Sequence, residues 1–229
     1  MKSVVVVGGS RGLGRGVALA ASEAGARVTP VARDLDGIDG VSGDATDEGL
    51  AEKVLAEHRP DLLVITAGAV PEMRPLTAHT WESFSANWHT DVRIAFAWLR
   101  AALRLPLAPG STVVMFGSAA ELRGSPLSGG YAGAKATVRL ITGYAAAEAR
   151  NLGIAMTTVL PVITPGTKIG DTAIRAYAGK SNLTLEQFTA NLPNAPTPAS
   201  IGRGVMGLAG AKELASAYVA DGAGLRPLE

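Results

Sequence analysis

Apolar positions along the chain follow two rhythms. Short runs rich in β-branched residues occur at 3–7, 27–31, 38–41, 61–66, 112–116, 154–160 and 217–220, the first, fourth, fifth and sixth of them nearly continuous apolar runs. Between them lie longer stretches at 12–23, 47–58, 81–105 and 131–151, where apolar residues recur every three or four positions. Phe84, Trp88, Val92, Ala95, Phe96 and Leu99 form one such ridge. The runs at 3–7, 61–66, 112–116 and 154–160 do not alternate, the pattern of parallel strands covered on both faces. Strands alternating with crossover-length helices predict an α/β chain, a three-layer doubly wound parallel sheet of about seven strands. The 229 residues suit a single domain. One stretch breaks the rhythm. Residues 164–200 hold Pro165, Pro193, Pro196 and Pro198, with short helical patterns near 172–178 and 184–192. They read as a flap between the sixth strand and a last helix starting near Pro198, and such insertions often cover a substrate site.

Composition narrows the classes. With 47% hydrophobic and 18% charged residues the chain can bury a large core, which argues against disorder. A net charge of +1 argues against a surface built for nucleic acid or an anionic membrane. The absence of cysteine excludes disulfides and thiolate zinc sites. His58, His79 and His89 show no metal-ligand spacing and read as surface or partly buried polar groups. The run Val4–Val7 is too short for a signal-peptide core and no stretch approaches membrane-helix length, so a cytoplasmic location is expected.

Candidate chemistry begins where the first strand runs into Gly8-Gly9-Ser10-Arg11-Gly12-Leu13-Gly14. Glycines let the chain turn sharply, admit a pyrophosphate to the backbone and pack a helix closely. The helix starting near Gly12 then points unpaired N–H groups at the phosphates. This places Gly8, Ser10, Arg11, Gly12, Leu13 and Gly14 at a dinucleotide, as in a Rossmann fold. The second strand ends at Val31-Ala32-Arg33, where an acidic residue would favour NAD(H). Arg33 and Arg11 instead suit a 2′-phosphate, so NADP(H) is expected, with NAD(H) second. Asp34, Asp36 and Asp39 read as solvated turn residues.

Tyr131 and Lys135 stand four residues apart on one predicted helix face. A phenol is a poor acid or base at neutral pH; an adjacent ammonium stabilises its phenolate and lowers its pKa. Ser118, just past the fifth strand, carries a hydroxyl able to hold a substrate oxygen.

With the glycine turn, these residues make the chain resemble the short-chain dehydrogenase/reductase family over nearly its whole length. The resemblance implies that Tyr131 exchanges a proton with the substrate oxygen. It implies that Lys135 holds the nicotinamide ribose and that Ser118 polarises the carbonyl. It also puts Asp44, with Ala45, at the adenine, and Thr66-Ala67-Gly68 beneath the cofactor, so that Ala67 and Gly68 are cofactor contacts. Asp91 falls where the family has a helical asparagine that wires water to the lysine, with Asn87 as the alternative. A carboxylate there would stabilise the Lys135 ammonium and change the pH profile.

Two further departures from the family pattern stand out. Val7 replaces a threonine before the glycine turn, losing one side-chain hydrogen bond. Pro161-Val162 replaces a Pro-Gly pair, leaving backbone of Val162 and Ile163 for the nicotinamide carboxamide and either Thr164 or Thr167 for a hydroxyl contact.

The implied function is NADP(H)-dependent hydride transfer to or from a carbonyl or secondary alcohol of a small organic molecule. The rival is a non-catalytic NADP(H)-sensing regulatory protein of the same fold. Nucleotide-sugar chemistry is disfavoured because it would need a larger C-terminal portion. Leu122, Leu127, Val162 and Ile163 suggest a modest apolar substrate site. Apolar faces on 81–105 and 131–151 resemble those that build family homodimers or homotetramers.

Overall fold

In the computed structural model, which describes residues 2–192, 194–211 and 213–229, the first strand shows why the sheet is covered on both sides. All five positions of β1 (Ser3–Val7) are buried, and its side chains divide by parity. Val5 and Val7 join Leu63, Ile65, Val113 and Met115 in one core; Val4 and Val6 join Leu62, Val64, Val114 and Phe116 in the other. The first core packs against α2 (Glu48–His58), α4 (Arg93–Arg104) and α6 (Tyr131–Ala149). The second packs against α1 (Gly12–Glu23) and α9 (Pro198–Met206). Each fully buried valine contributes about 1.5–3 kcal/mol, and neither face can be spared.

The sheet contains β1, β2 (Arg27–Ala32), β3 (Val41–Ser42), β4 (Leu62–Ile65), β5 (Thr112–Phe116), β6 (Ala155–Pro161), β7 (Ala217–Asp221) and β8 (Gly224–Pro227), in the order β3-β2-β1-β4-β5-β6-β7-β8. All neighbours are parallel except β7 and β8. The expected doubly wound α/β fold is therefore present, with eight strands instead of about seven. The added strand closes the edge as a hairpin. Asp221 Oδ1 accepts from Ala223 N at 2.8 Å, and Gly224 at φ +117° supplies the turn. The strand expected at 38–41 shrinks to Val41–Ser42, because Asp36 and Gly37 take positive φ and hold 35–38 in a turn. From β1 the chain winds outward through β2 and β3, then returns to β4 on the other side. This reversal opens a crevice at the carboxyl ends of β1 and β4.

The helix expected at 81–105 is broken in two. α3 (Trp81–Asn87) and α4 flank a π turn at Trp88–Val92. A π turn widens the helix by one residue and commonly marks a functional position; this one carries Asp91. A short α5 (Ala120–Arg123) follows β5. In the expected flap, α7 (Lys168–Lys180) begins earlier than 172 because Thr167 caps it, and α8 (Leu185–Ala190) follows. Tyr177 stacks on Phe188 with ring centroids 6.4 Å apart, tying these two helices together. Pro193 lies outside the described residues. No helix among them is long and apolar enough to cross a membrane.

Helices α1 and α9 approach to backbone contact. A Cβ added at Gly16 would stand 2.1 Å from the Pro198 carbonyl oxygen. Gly16→Ala must push the helices apart and should lower the unfolding free energy by about 1–3 kcal/mol in urea titration.

Candidate active site

At the end of β1 the backbone turns through Gly8 (φ +87°) and Gly12 (φ +55°) into α1. A Cβ at Gly8 would lie 2.7 Å from Ala67 N, and one at Gly14 would lie 2.2 Å from the Gly8 carbonyl. Only glycine fits this cradle. Side chains of Asp47, Thr80, Thr167, Thr184 and Thr197 cap other helices, whereas α1 has Arg11 at its cap with no side-chain bond. Its first N–H groups and positive dipole end therefore lack a protein side-chain acceptor, as a helix that receives a phosphate requires. The hydrogen bond expected to be missing at Val7 is supplied from the neighbouring strand end: Thr66 Oγ1 donates to the Val7 carbonyl at 2.9 Å.

Above these strand ends lies a cleft of about 1180 Å³. Arg33, Asp44 and Ala45 line one end. Two bonds from Thr46, backbone and hydroxyl, hold the Asp44 carboxyl below its usual range, with Arg33 adding to the effect. Trp98 Nε1 donates to the Ala45 carbonyl at 2.9 Å and fixes that loop to the core. Asp34 is exposed with its Oδ1 accepting from Asp36 N at 3.0 Å, as expected of a turn residue, and it also lies on the cleft wall next to Arg33 in sequence. Asp36 and Asp39 are exposed and off the wall, as expected of turn residues.

Ser118, Tyr131 and Lys135 meet at the other end of the glycine cradle. Ser118 stands at the exit of β5, where its Oγ accepts from Ala120 N at 3.2 Å. Lys135 is 4% exposed, and its Nζ donates to the Phe116 carbonyl at 3.2 Å. The ammonium sits 5.9 Å from the centre of the Tyr131 ring. Asp91 Oδ2 lies 3.3 Å from Lys135 Nζ, so the cation is half of a buried ion pair.

Asp91 does not reach the cleft. It stands behind Gly68, where a Cβ would come within 3.0 Å of Oδ1, and that oxygen accepts from Ala69 N at 2.7 Å. The alternative residue has its own place: Asn87 Nδ2 donates to the Ala69 carbonyl at 2.9 Å. Together Asn87 and Asp91 hold both polar groups of Ala69 and fix the floor segment Ala67-Gly68. Asp91 thus lies off the cleft wall and braces both its floor and Lys135.

The electrostatics correct a second expectation. Burial pushes the Tyr131 phenol above its usual range; Lys135 and then the Ser118 hydroxyl pull it back only in part. Asp91 and Glu121 push it further up. The Glu121 side chain is wholly buried against Arg139, and burial raises its own carboxyl. For Lys135, burial alone would lower the pKa, but Asp91, followed by Tyr131, more than offsets this and the net shift is upward. The ammonium does pull the phenol down, but burial outweighs it, and Asp91 adds to the upward shift.

Of the residues singled out in the sequence, Gly8 through Gly14, Arg33, Asp44, Ala45, Ala67, Gly68, Ser118, Tyr131, Lys135, Val162, Ile163 and Thr164 all fall on this cleft except Gly9. Thr167 is there too, but its hydroxyl donates to the Thr164 carbonyl and caps α7, while that of Thr164 donates to the Val162 carbonyl. Leu122 and Leu127 do not line it: the first is exposed and the second is buried beneath the loop that precedes α6. Sequence reading missed Val70, Met73, His89 and Tyr177. Tyr177 had a signal, since Ile169, Ala173 and Tyr177 recur every four residues on one face of α7.

A family model described as enoyl-(acyl carrier protein) reductase matches residues 7–212. The chain belongs to the short-chain dehydrogenase/reductase family of oxidoreductases. It is 31% identical over 165 residues to the short chain dehydrogenase/reductase AacuD of Aspergillus aculeatus, covering 64% of this chain and 58% of that one. It is 27% identical over 174 residues to L-xylulose reductase of Mesocricetus auratus, covering 71% of each. The solved structure of levodione reductase superposes with a TM-score of 0.82 at 21% identity, covering 96% of both chains, and establishes likeness of fold.

Proposed function

We propose that the chain is an NADP(H)-dependent oxidoreductase that interconverts a carbonyl and a secondary alcohol on a small organic substrate. The observation that carries this reading is the placement of a buried Tyr131–Lys135 pair at one end of a glycine-walled anion cradle, with Ser118 at the same strand exits. A nicotinamide dinucleotide supplies the hydride acceptor or donor when bound. Everything else is the work of this chain. The α1 N-terminus and Gly8–Gly14 bind pyrophosphate, and the floor held by Asn87 and Asp91 supports the cofactor's middle. Ser118 donates to the substrate oxygen, and in reduction the Tyr131 phenol gives that oxygen its proton. Lys135 grips ribose hydroxyls and keeps a positive charge beside the phenolate left behind, which is then reprotonated from solvent.

The choice of NADP(H) rests on Arg33 and Arg11, which line the cleft and enter no ion pair among the described residues. Guanidinium groups suit a 2′-phosphate. Arg33→Ala should weaken NADPH binding by about tenfold or more and leave NADH binding unchanged. Equal affinity of the unmutated protein for the two dinucleotides would overturn this choice.

Turnover itself is read as NADPH absorbance across a panel of ketones and aldehydes, with an α,β-unsaturated thioester included. Oxidation of NADPH by carbonyl compounds is expected. Turnover of the thioester alone would replace the reading by C=C reduction, and binding without any turnover would make the chain a dinucleotide sensor.

The 164–200 segment serves in this reading as the substrate cover, since α7 forms a wall of the cleft. Exposed Phe96 on α4, with Leu140 and Tyr144 one turn apart on α6, supports self-association as a homodimer or homotetramer, measurable by sedimentation.

A further inference from the structure

The cleft has two ends of different character. Charge gathers at the nucleotide end, where Arg11, Arg33, Asp34 and Asp44 line the wall. Lys168 also lines the wall, and its backbone enters at that side, one residue after Thr167, whose methyl would be 3.7 Å from a Cβ on Gly12. Beyond Tyr131 the lining changes. Val70 and Met73 come from the segment after β4, Pro126 from the loop before α6, and Ile169, Ala173 and Tyr177 from one stripe of α7. Apart from the His89 imidazole, the polar side chains there are hydroxyls. Ser128 is buried, and Ser125 Oγ lies 2.5 Å from Tyr177 Oη, joining the loop to α7 across the far end.

Among the described residues no carboxylate, guanidinium or lysine ammonium other than Lys135 lines this half. Lys135 is not a free cation, since Asp91 lies 3.3 Å from it and its remaining bond goes to a carbonyl. Glu72, Arg74, Arg123 and Arg175 are near in sequence but exposed and off the wall. Glu72 and Arg74 pair with each other. Besides the two tyrosines, the remaining ionisable side chain among the described residues of this half is His89, exposed on the π turn and lining the cleft.

We infer that the substrate is an uncharged carbonyl compound with an apolar flank, and that this wall rejects carboxylated or phosphorylated carbonyls. This inference rests on the carbonyl-reductase reading above and names its substrate class. An anion seated here would leave water without gaining a cation, whereas hydroxyls and aliphatic side chains meet a neutral ester or alkyl group without loss. It would also face a net-neutral Asp91–Lys135 pair instead of a lone ammonium. Tyr177, braced by Ser125 on one side and by Phe188 on the other, sets the reach of the far end.

The test is a matched pair: ethyl acetoacetate against acetoacetate, reduced with NADPH at pH 6 and at pH 8. The expected kcat/KM favours the ester by at least about tenfold at both pH values. A smaller preference at either pH, or a preference for the acid, overturns the inference while leaving the carbonyl-reductase reading in place. Failure of both compounds, and of every other neutral ketone in the panel, with dinucleotide binding intact, overturns that reading and the inference with it. Ala173→Lys supplies the second arm. It places a cation on the α7 stripe and should raise the acid-to-ester ratio by at least about tenfold. An unchanged ratio shows that this wall does not set the charge preference and overturns the inference.

Discussion

Tyr131→Phe is expected to lower kcat by about 10²–10⁴-fold while leaving dinucleotide affinity within about twofold. The ring of Tyr131 is buried, and removing the hydroxyl leaves its packing in place. What disappears is the only phenol among the described residues that combines a place on the cleft wall with a buried ammonium four residues on. Tyr177 also lines the cleft, but its hydroxyl is bound to Ser125 in the far wall. Stopped-flow turnover and fluorescence titration of NADPH read the two quantities separately. Loss of both together would mean a damaged fold; loss of neither would remove Tyr131 from the chemistry.

Asp91 offers the second large effect, and its two substitutions separate structure from electrostatics. Asp91→Ala leaves Lys135 as a buried ammonium whose only described partner is one carbonyl, and frees the Ala69 amide as well. Breaking a buried pair in this way should cost about 3–5 kcal/mol of unfolding free energy in denaturant titration. Asp91→Asn keeps the shape and an oxygen for Ala69 but removes the negative charge. Reduction requires the phenol protonated, so it should persist through neutral pH and fall as pH rises through the raised Tyr131 pKa. Asp91 is one of the groups that raise that pKa. Without it the alkaline limb of reduction and the acid limb of alcohol oxidation should both move to lower pH, on the order of one unit. Limbs that move upward would mean that Lys135 had lost its proton together with its partner. Limbs that stay would show that the carboxylate does not act on the phenol.

The parts of this molecule that were legible in the sequence are those whose signal is local. Val4–Val7 must be covered on both faces because none of the four side chains is polar, and the structure buries all of them in two opposed cores. The glycine turn is legible because its requirement is steric, and an added Cβ at Gly8 or Gly14 would strike backbone. Ser118, Tyr131 and Lys135 are legible as side-chain chemistry at a fixed spacing, and they do converge.

What escaped depends on partners distant in the chain. A π turn has the same apolar ridge as an α-helix, so the break at Trp88–Val92 is invisible until Asp91 meets Lys135. β8 has only four residues, one of them proline, and exists through its hairpin with β7. The phenol's upward shift was missed because burial is a property of the folded chain, and burial outweighs the ammonium that sequence spacing reveals. Val70 and Met73 lie in a segment without periodicity, so nothing local assigned them to a wall.

The most direct test of the central claim is a crystal structure of this chain with NADP(H) bound. The expected result has pyrophosphate against the α1 N-terminus and Lys135 Nζ within hydrogen-bonding distance of the ribose hydroxyls beside the nicotinamide. It also has the Tyr131 hydroxyl and Ser118 Oγ facing one point next to the ring, where a carbonyl oxygen would sit. A dinucleotide bound with its nicotinamide away from Tyr131, or with Lys135 turned out to solvent, would contradict the account.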